Sequence, residues 1–171
     1  RPEIPLGSYI FSAWSVGFDS VLNWYAACDK VRDPRIEEAF VNYFNWPGRF
    51  SAPYFVKASD RVASRFEGCT IKGMTMSAPG FYGPQGRSVR MKLTCPDLVQ
   101  KLEAFEFEGR KFTNIEMESS ALAGMAAILG HDAGTVCLAI ANRYAKESNP
   151  DYKGLMENLV ELALERLTAE D

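Results

Sequence analysis

Histidine is almost absent from this sequence, which has only His131 among 171 residues. The four cysteines stand far apart, and no two of them share a Cys-x-x-Cys spacing. Zinc and iron–sulfur sites need clustered cysteine and histidine ligands, so these shortages argue against either kind of site. They also argue against a Ser-His-Asp triad, because His131 directly follows Gly130 at the expected end of a helix. Scattered cysteines favour a reducing, cytoplasmic setting over a disulfide scaffold.

Long apolar runs and an excess of positive charge are missing as well. No segment approaches the roughly 20 apolar residues that cross a bilayer, and the start, "RPEIPLG", is not a basic-then-apolar signal. Lysine and arginine number 19 against 22 aspartates and glutamates, which gives a net charge of −3. This balance argues against nucleic acids and anionic membranes as partners. We therefore expect a cytoplasmic protein whose partner is a small molecule.

The rest of the composition is that of one globular domain over residues 1–171, with 47% hydrophobic and 24% charged residues. In the first half, "SYIFSAWSV" from Ser8 and "CTIKGMTMSA" from Cys69 predict strands. "DPRIEEAFVNYF" predicts a helix with Asp33 as its N-cap and Pro34 in its first turn. A second helix is predicted over Tyr54–Phe66.

The second half of the sequence continues this alternation of strands and helices. A strand is predicted to end near Glu116, followed by a helix ending at Gly130 and a buried strand, "TVCLAIA". "YKGLMENLVELALERL" predicts a long amphipathic helix. The order of elements predicts an α/β fold with a mixed central sheet flanked by helices. The helix before Gly130 carries apolar residues at helical spacing: Leu122, Met125, Ile128 and Leu129.

Three predicted strand ends carry polar or aromatic side chains that a plain connection does not need. They are Phe81 to Arg87 after the first strand, Glu116 to Glu118 after the next, and Asn142 and Arg143 after "TVCLAIA". In open α/β sheets, ligands bind in the crevice beyond the carboxyl ends of the strands. We therefore expect these three groups of residues to meet around one ligand site.

The segment "FYGPQGR" has the chemistry to bind a planar, polar ring. Phe81 can stack on such a ring, Gln85 offers a donor beside an acceptor, and Arg87 supplies a forked donor. This set suits the edge of a uracil-like base, whose ring N–H lies between two carbonyl oxygens. The same composition also fits an ordinary surface loop, so the segment alone does not decide between the two.

The other two groups leave similar alternatives open. Glu118 either caps the predicted helix or accepts hydrogen bonds from vicinal sugar hydroxyls, while Met117 packs on the sugar. Arg143 either forms a surface ion pair or lies in the ligand site.

Two segments, "GMTMSAPGFYGPQGR" and "NIEMESSALAGMAAILGHDAGTVCLAIANR", resemble the nucleoside phosphorylase family, most closely its uridine phosphorylase branch. The elements FY-x-x-Q-x-R, EMES and the strand-final NR occur there in the same order. The resemblance implies a nucleoside phosphorylase-like fold and the reversible phosphorolysis of a pyrimidine nucleoside to free base and ribose 1-phosphate. Phosphate would be a co-substrate, and neither a cofactor nor a metal would be needed.

The resemblance also assigns roles to individual residues. Phe81 would line the pocket, Gln85 and Arg87 would read the pyrimidine edge, and Arg143 would assist near the base through water. Met117 and Glu118 would bind the ribose, with Glu116 beside them. The resemblance further implies a homo-oligomer built from dimers, such as a hexamer.

Two departures from the family pattern shape these expectations. The family's phosphate-binding residues are expected upstream of Arg1, so residues 1–171 are predicted to be the C-terminal portion of a longer domain. Asn142 stands where purine-specific relatives usually carry an aspartate, which favours a pyrimidine. The alternatives are a purine nucleoside phosphorylase, a nucleosidase that uses water, and a non-catalytic nucleoside-binding fragment.

Overall fold

A mixed β-sheet with helices on both faces forms the centre of the computed structural model, which describes residues 1–143 and 145–169. The sheet has the order β2-β1-β3-β5-β4, and β6 pairs with β1. Its strands are β1 (Tyr9–Gly17), β2 (Tyr54–Lys57), β3 (Ile71–Ser77), β4 (Glu106–Phe107), β5 (Arg110–Glu116) and β6 (Val136–Leu138). A two-stranded ribbon, β7 (Ala141–Asn142) with β8 (Glu147–Ser148), lies outside it. The helices are α1 (Pro34–Phe44), α2 (Asp60–Arg65), α3 (Leu98–Ala104), α4 (Ser119–Leu129) and α5 (Lys153–Thr168).

The long strands β1, β3 and β5 run parallel, and the short strands β2, β4 and β6 pair antiparallel to their neighbours. The predicted α/β fold with a mixed sheet is therefore confirmed. Both β2 and β6 pair with β1, β2 with its carboxyl half and β6 with its amino half. Because β6 runs antiparallel to β1, its carboxyl end lies beside Tyr9, at the start of β1.

An aromatic cluster fills the face of the sheet under α1 and α3. Phe40 is fully buried at its centre, stacked on Phe44 with ring centroids 4.1 Å apart and edge-on to Phe105 at 5.1 Å. The helix that carries Phe40 begins as predicted, because the Asp33 side chain accepts a hydrogen bond from the Arg35 N–H at 3.0 Å. Burial of these rings supplies a large share of the hydrophobic stabilisation of the domain.

The helix predicted over Tyr54–Phe66 is wrong in its first part, which is strand β2, and right only for α2. Tyr54 and Phe55 belong to clusters on opposite faces of the sheet, as alternate residues of a strand do. Pairing with β1 therefore overrides the helical pattern of the segment. The helix itself begins only after Ser59, whose hydroxyl accepts from the Val62 N–H at 3.4 Å.

The helix α4 and its end at Gly130 are as predicted, and of its four large apolar residues Met125 and Ile128 pack against a buried cluster, whereas Leu122 and Leu129 do not. Leu122 and Leu129 are 52% and 64% exposed, while small residues face the protein. Small residues let α4 lie close to its neighbours, since a Cβ on Gly124 would come within 2.3 Å of the Leu22 side chain. The buried residues of α4 are Ser119, Ser120, Ala123 and Gly124.

The strand predicted for "TVCLAIA" is shorter and less buried than expected. Only Val136–Leu138 form strand β6, and Ile140 is 41% exposed. The pairing accounts for this, because β6 contacts only the first three residues of β1. The long helix at the end is confirmed as α5, with Leu159 buried.

None of the helices in residues 1–143 and 145–169 has the length and apolarity needed to cross a membrane. All four cysteines are free thiols.

Candidate functional site

A cavity of about 500 Å³ is lined by residues that follow three strands of the sheet. The loop after β3, the turn after β5 and the segment after β6 all contribute to its wall. The third group, Asn142 and Arg143, follows β6, which runs antiparallel to β3 and β5. The sequence did not predict this direction. The structure nevertheless brings together all of the predicted site residues: Phe81, Gln85, Arg87, Glu116, Met117, Glu118, Asn142 and Arg143.

The loop after β3 is folded so that Gln85 points inward. Residues Gly83–Gln85 form one 3-10 turn, and Gly86 follows with φ 73°, a conformation that suits glycine. The Arg87 N–H donates to the Tyr82 carbonyl at 2.9 Å and closes the loop. As a result Gln85 is only 4% exposed, while Phe81 remains 53% exposed.

Two arginines converge on Gln85. The Arg87 guanidinium donates to Gln85 Oε1 at 2.5 Å, and Arg143 donates to the same oxygen at 2.7 Å. A second nitrogen of Arg143 donates to the main-chain carbonyl of Gln85. Arg143 thus contacts a buried amide in the cavity wall instead of a surface carboxylate. Gln85 Oε1, the acceptor that the sequence predicted for a base N–H, accepts hydrogen bonds from both guanidiniums. The Gln85 Nε2 group remains as a donor.

Arg87 and Arg143 place two positive charges in one part of the cavity wall. Within residues 1–143 and 145–169, neither Arg87 nor Arg143 forms a salt bridge with a carboxylate. Burial lowers the pKa of both arginines, and the charge of Arg87 lowers the pKa of Arg143 further. Each guanidinium keeps its charge, because the ordinary value for arginine is so high. The site therefore favours a ligand with electron-rich or anionic atoms.

Phe81 has one ring face covered. The Arg87 guanidinium lies 3.7 Å from the centre of the Phe81 ring, and Tyr82 meets that ring edge-on at 5.3 Å. A planar ligand can stack on Phe81 on its other face, or on the covered face after Arg87 moves. The cation–π contact also holds the Arg87 guanidinium at the cavity.

Glu116, and not Glu118, caps the amino end of α4. Glu116 Oε2 accepts from the N–H groups of Glu118 and Ser119, both at 2.7 Å, and Oε1 accepts from the hydroxyls of Ser119 and Ser77. The Glu118 carboxylate accepts only a bond from the Met117 N–H, at 3.2 Å, among the described contacts. Glu118 is exposed and Met117 is 39% exposed at the cavity. The capping alternative thus applies to Glu116, and Glu118 stays available to a ligand.

A family model described as the Phosphorylase superfamily matches residues 1–169 of the chain. The chain belongs to the phosphorylase superfamily. Solved structures in this superfamily share its fold, which confirms the nucleoside phosphorylase-like architecture. No match was found among curated proteins.

The solved relatives with this phosphorylase fold include three from different eukaryotes. A nucleoside phosphorylase from Trypanosoma brucei, reported to show uridine phosphorylase activity, has a TM-score of 0.84 and 24% identity over 98% of this chain and 60% of its own. A uridine phosphorylase from Phytophthora capsici has a TM-score of 0.64 and 17% identity, over 100% of this chain and 62% of its own. Uridine phosphorylase from Schistosoma mansoni, solved with uracil, has a TM-score of 0.56 and 18% identity, over 96% and 55%. The chain spans less than two thirds of the length of these relatives.

Several residues that line the cavity were missed by sequence reasoning, among them Asn114 and Cys137. Asn114 lines the cavity two residues before Glu116, as expected for the same face of strand β5, so strand alternation could have identified it. Cys137 lines the cavity from β6. Burial, with the nearby Glu116 carboxylate, raises the pKa of the Cys137 thiol to about 11. The thiol is therefore protonated at neutral pH and is not a nucleophile.

Proposed function

We propose that this chain carries the nucleoside-binding part of a uridine phosphorylase-like enzyme, which catalyses reversible phosphorolysis of a pyrimidine nucleoside. The observation that carries the proposal is the meeting of a donor-rich edge and a free carboxylate around one cavity. Gln85, Arg87 and Arg143 form the donor-rich edge, and Glu118 beside Met117 supplies the carboxylate. The products would be the free base and ribose 1-phosphate.

The donor-rich edge would bind the base. Breaking the N-glycosidic bond leaves negative charge on the base, and the pyrimidine oxygens carry much of it. Donors from Arg87 and from Gln85 Nε2 aimed at those oxygens stabilise the transition state more than the ground state. Arg143 holds Gln85 in place and adds positive charge near the base, directly or through water. Phe81 would supply a stacking surface.

The turn after β5 would bind the ribose. A carboxylate accepts hydrogen bonds from two vicinal hydroxyls, and the Glu118 carboxylate is exposed at the cavity. Met117 offers an apolar surface to the sugar. Glu116 would lie beside the sugar and fix the turn through its bonds to the α4 N–H groups.

Replacing Glu118 with glutamine is expected to weaken uridine binding about tenfold, because hydrogen bonds to a charged acceptor are worth more than those to a neutral one. Uracil lacks the sugar, so its affinity should change by less than about twofold. Isothermal titration with both ligands measures the difference. Glu161→Gln, an exposed glutamate on α5, is the matched control. An equal loss of uracil and uridine affinity would contradict the ribose assignment.

The reaction itself is tested by incubating the protein with uridine, inosine and methylthioadenosine, each with and without phosphate. Phosphate-dependent release of uracil from uridine is the expected result. Phosphate-independent cleavage would favour a nucleosidase, and preference for inosine would favour a purine phosphorylase.

A second candidate function is nucleoside binding without catalysis. It is favoured because the residues assigned in this cavity serve only the base and the ribose. The residues that bind phosphate in such enzymes are not among those assigned in this cavity, and we propose that they lie upstream of Arg1. Binding of uracil without release of base from uridine would support this candidate.

A further inference from the structure

A buried polar network lies behind the cavity wall, at the amino end of α4. Tyr54 on β2 is fully buried, and its hydroxyl donates to Asp19 Oδ1 at 2.6 Å. The Ser120 hydroxyl donates to Asp19 Oδ2 at 2.5 Å and lies 3.1 Å from the Tyr54 oxygen. The Val21 N–H also donates to Asp19 Oδ1, at 2.8 Å, which fixes the carboxylate in its loop.

The sequence makes room for the Tyr54 ring with a glycine. Gly17 is the partner of Tyr54 in the pairing of β1 with β2. A Cβ at position 17 would lie 2.1 Å from the Tyr54 ring, so only glycine lets the ring cross β1 at this point. Burial, followed by the Asp19 carboxylate, raises the pKa of the Tyr54 phenol above its ordinary value. The hydroxyl is therefore a permanent donor at neutral pH.

The network continues from Ser120 to the turn after β5. The Ser120 N–H donates to the Ser77 hydroxyl oxygen at 2.9 Å, and the Ser77 hydroxyl donates to Glu116 Oε1. The other oxygen of Glu116 accepts from the N–H groups of Glu118 and Ser119. Tyr54, at one end, thus connects through Ser120, Ser77 and Glu116 to the main chain of Glu118, at the cavity.

We propose that Tyr54 and Asp19 are positioning residues for Glu118. They act through Ser120, Ser77 and Glu116, and they set the position of the turn that presents the Glu118 carboxylate to the cavity. Neither Tyr54 nor Asp19 lines that cavity, so they do not touch its ligand. The network joins the loop after β1 to β2, β3, β5 and α4, and buried, fully bonded networks of this kind hold one geometry. The ligand part of this inference rests on the proposed role of Glu118 in binding ribose.

The test is Tyr54→Phe, which removes one hydroxyl and keeps the ring. Uridine affinity is expected to fall about tenfold, and uracil affinity by less than about twofold. Tyr43→Phe is the matched control, because it also removes one tyrosine hydroxyl. Tyr43 is half-exposed and lies on α1, and the buried side chains of α1 pack in the aromatic cluster. If Tyr54→Phe lowers the affinities for uridine and uracil equally, the positioning role is overturned. A general loss of structure would affect both ligands, whereas a displaced Glu118 would affect only the ligand that has a sugar.

A second measurement does not depend on any ligand. Amide hydrogen exchange at Glu118 and Ser119 is expected to be faster in Tyr54→Phe than in the wild type, with exchange in α1 unchanged. Ser120→Ala should give the same pattern, since it breaks the next link. Unchanged exchange at Glu118 and Ser119 in both variants would overturn the inference. A wild-type protein that binds neither uridine nor uracil would contradict the proposed function, while the exchange experiment would still decide the role of the network.

Discussion

Replacing Arg87 with alanine is expected to lower kcat/KM for uridine phosphorolysis by about 10²- to 10³-fold, equivalent to about 2.7–4 kcal/mol of transition-state stabilisation. The variant loses a charged donor at the base edge, and it also loses the contacts of Arg87 with Gln85 and with the Phe81 ring. In the proposed reaction the guanidinium acts where charge develops on the leaving base, so its loss should affect the barrier more than the binding of uridine. Steady-state kinetics with uridine and phosphate measures the change.

Two further variants sharpen this test. Arg90→Ala is the matched control, because Arg90 is an exposed arginine in the same loop that does not line the cavity. Arg87→Lys keeps the charge but loses the forked donor, and an intermediate loss is expected. If the protein binds uracil but does not cleave uridine, the affinity for uracil is measured in place of kcat/KM. Activity and uracil affinity near the wild-type values in Arg87→Ala would refute the role given to this arginine.

Replacing Phe40 with alanine is expected to lower the free energy of unfolding by about 3–5 kcal/mol. The side chain is fully buried and contacts rings from α1, β2, β5 and the residue after α3, so its removal leaves a cavity that the packed neighbours cannot fill. Urea unfolding followed by circular dichroism measures the loss. For a domain with an ordinary stability of about 5–15 kcal/mol, such a loss leaves a small margin.

The control for Phe40→Ala is Phe50→Ala. Phe50 is 40% exposed and meets only the edge of Trp46 among its described ring contacts, so its loss should be a small fraction of that for Phe40. Equal losses in the two variants would show that the aromatic cluster does not form the main core.

The parts of the fold that could be predicted are those with local causes. The start of α1 follows from Asp33 and Pro34, which act within one turn, and the end of α4 follows from Gly130. The strand at Tyr54–Lys57 was predicted as part of a helix, because the cause of the strand is pairing with β1, about 40 residues earlier in the chain. The direction of β6 has a similar non-local cause.

In the candidate site, too, features with local causes could be predicted, and features that depend on distant residues could not. The residue types of Phe81, Gln85 and Arg87 could be read from one short segment, and the structure places all three at the cavity. The capping role of Glu116 could not be predicted from the sequence, because Ser77, 39 residues away, helps to hold its carboxylate in place. Nor could the contact of Arg143 with Gln85, which joins residues 58 positions apart.

The pairing of both arginines with one amide oxygen bears on the discrimination between uracil and cytosine. A uracil N3–H would need Gln85 Oε1 in place of one guanidinium, and the remaining N–H donors at this edge would then meet the two pyrimidine oxygens. An amino group in place of a pyrimidine oxygen would bring donor against donor and leave both without a partner. Such a mismatch costs about 1–3 kcal/mol, so cytidine should be rejected by roughly ten- to a hundredfold without any steric barrier.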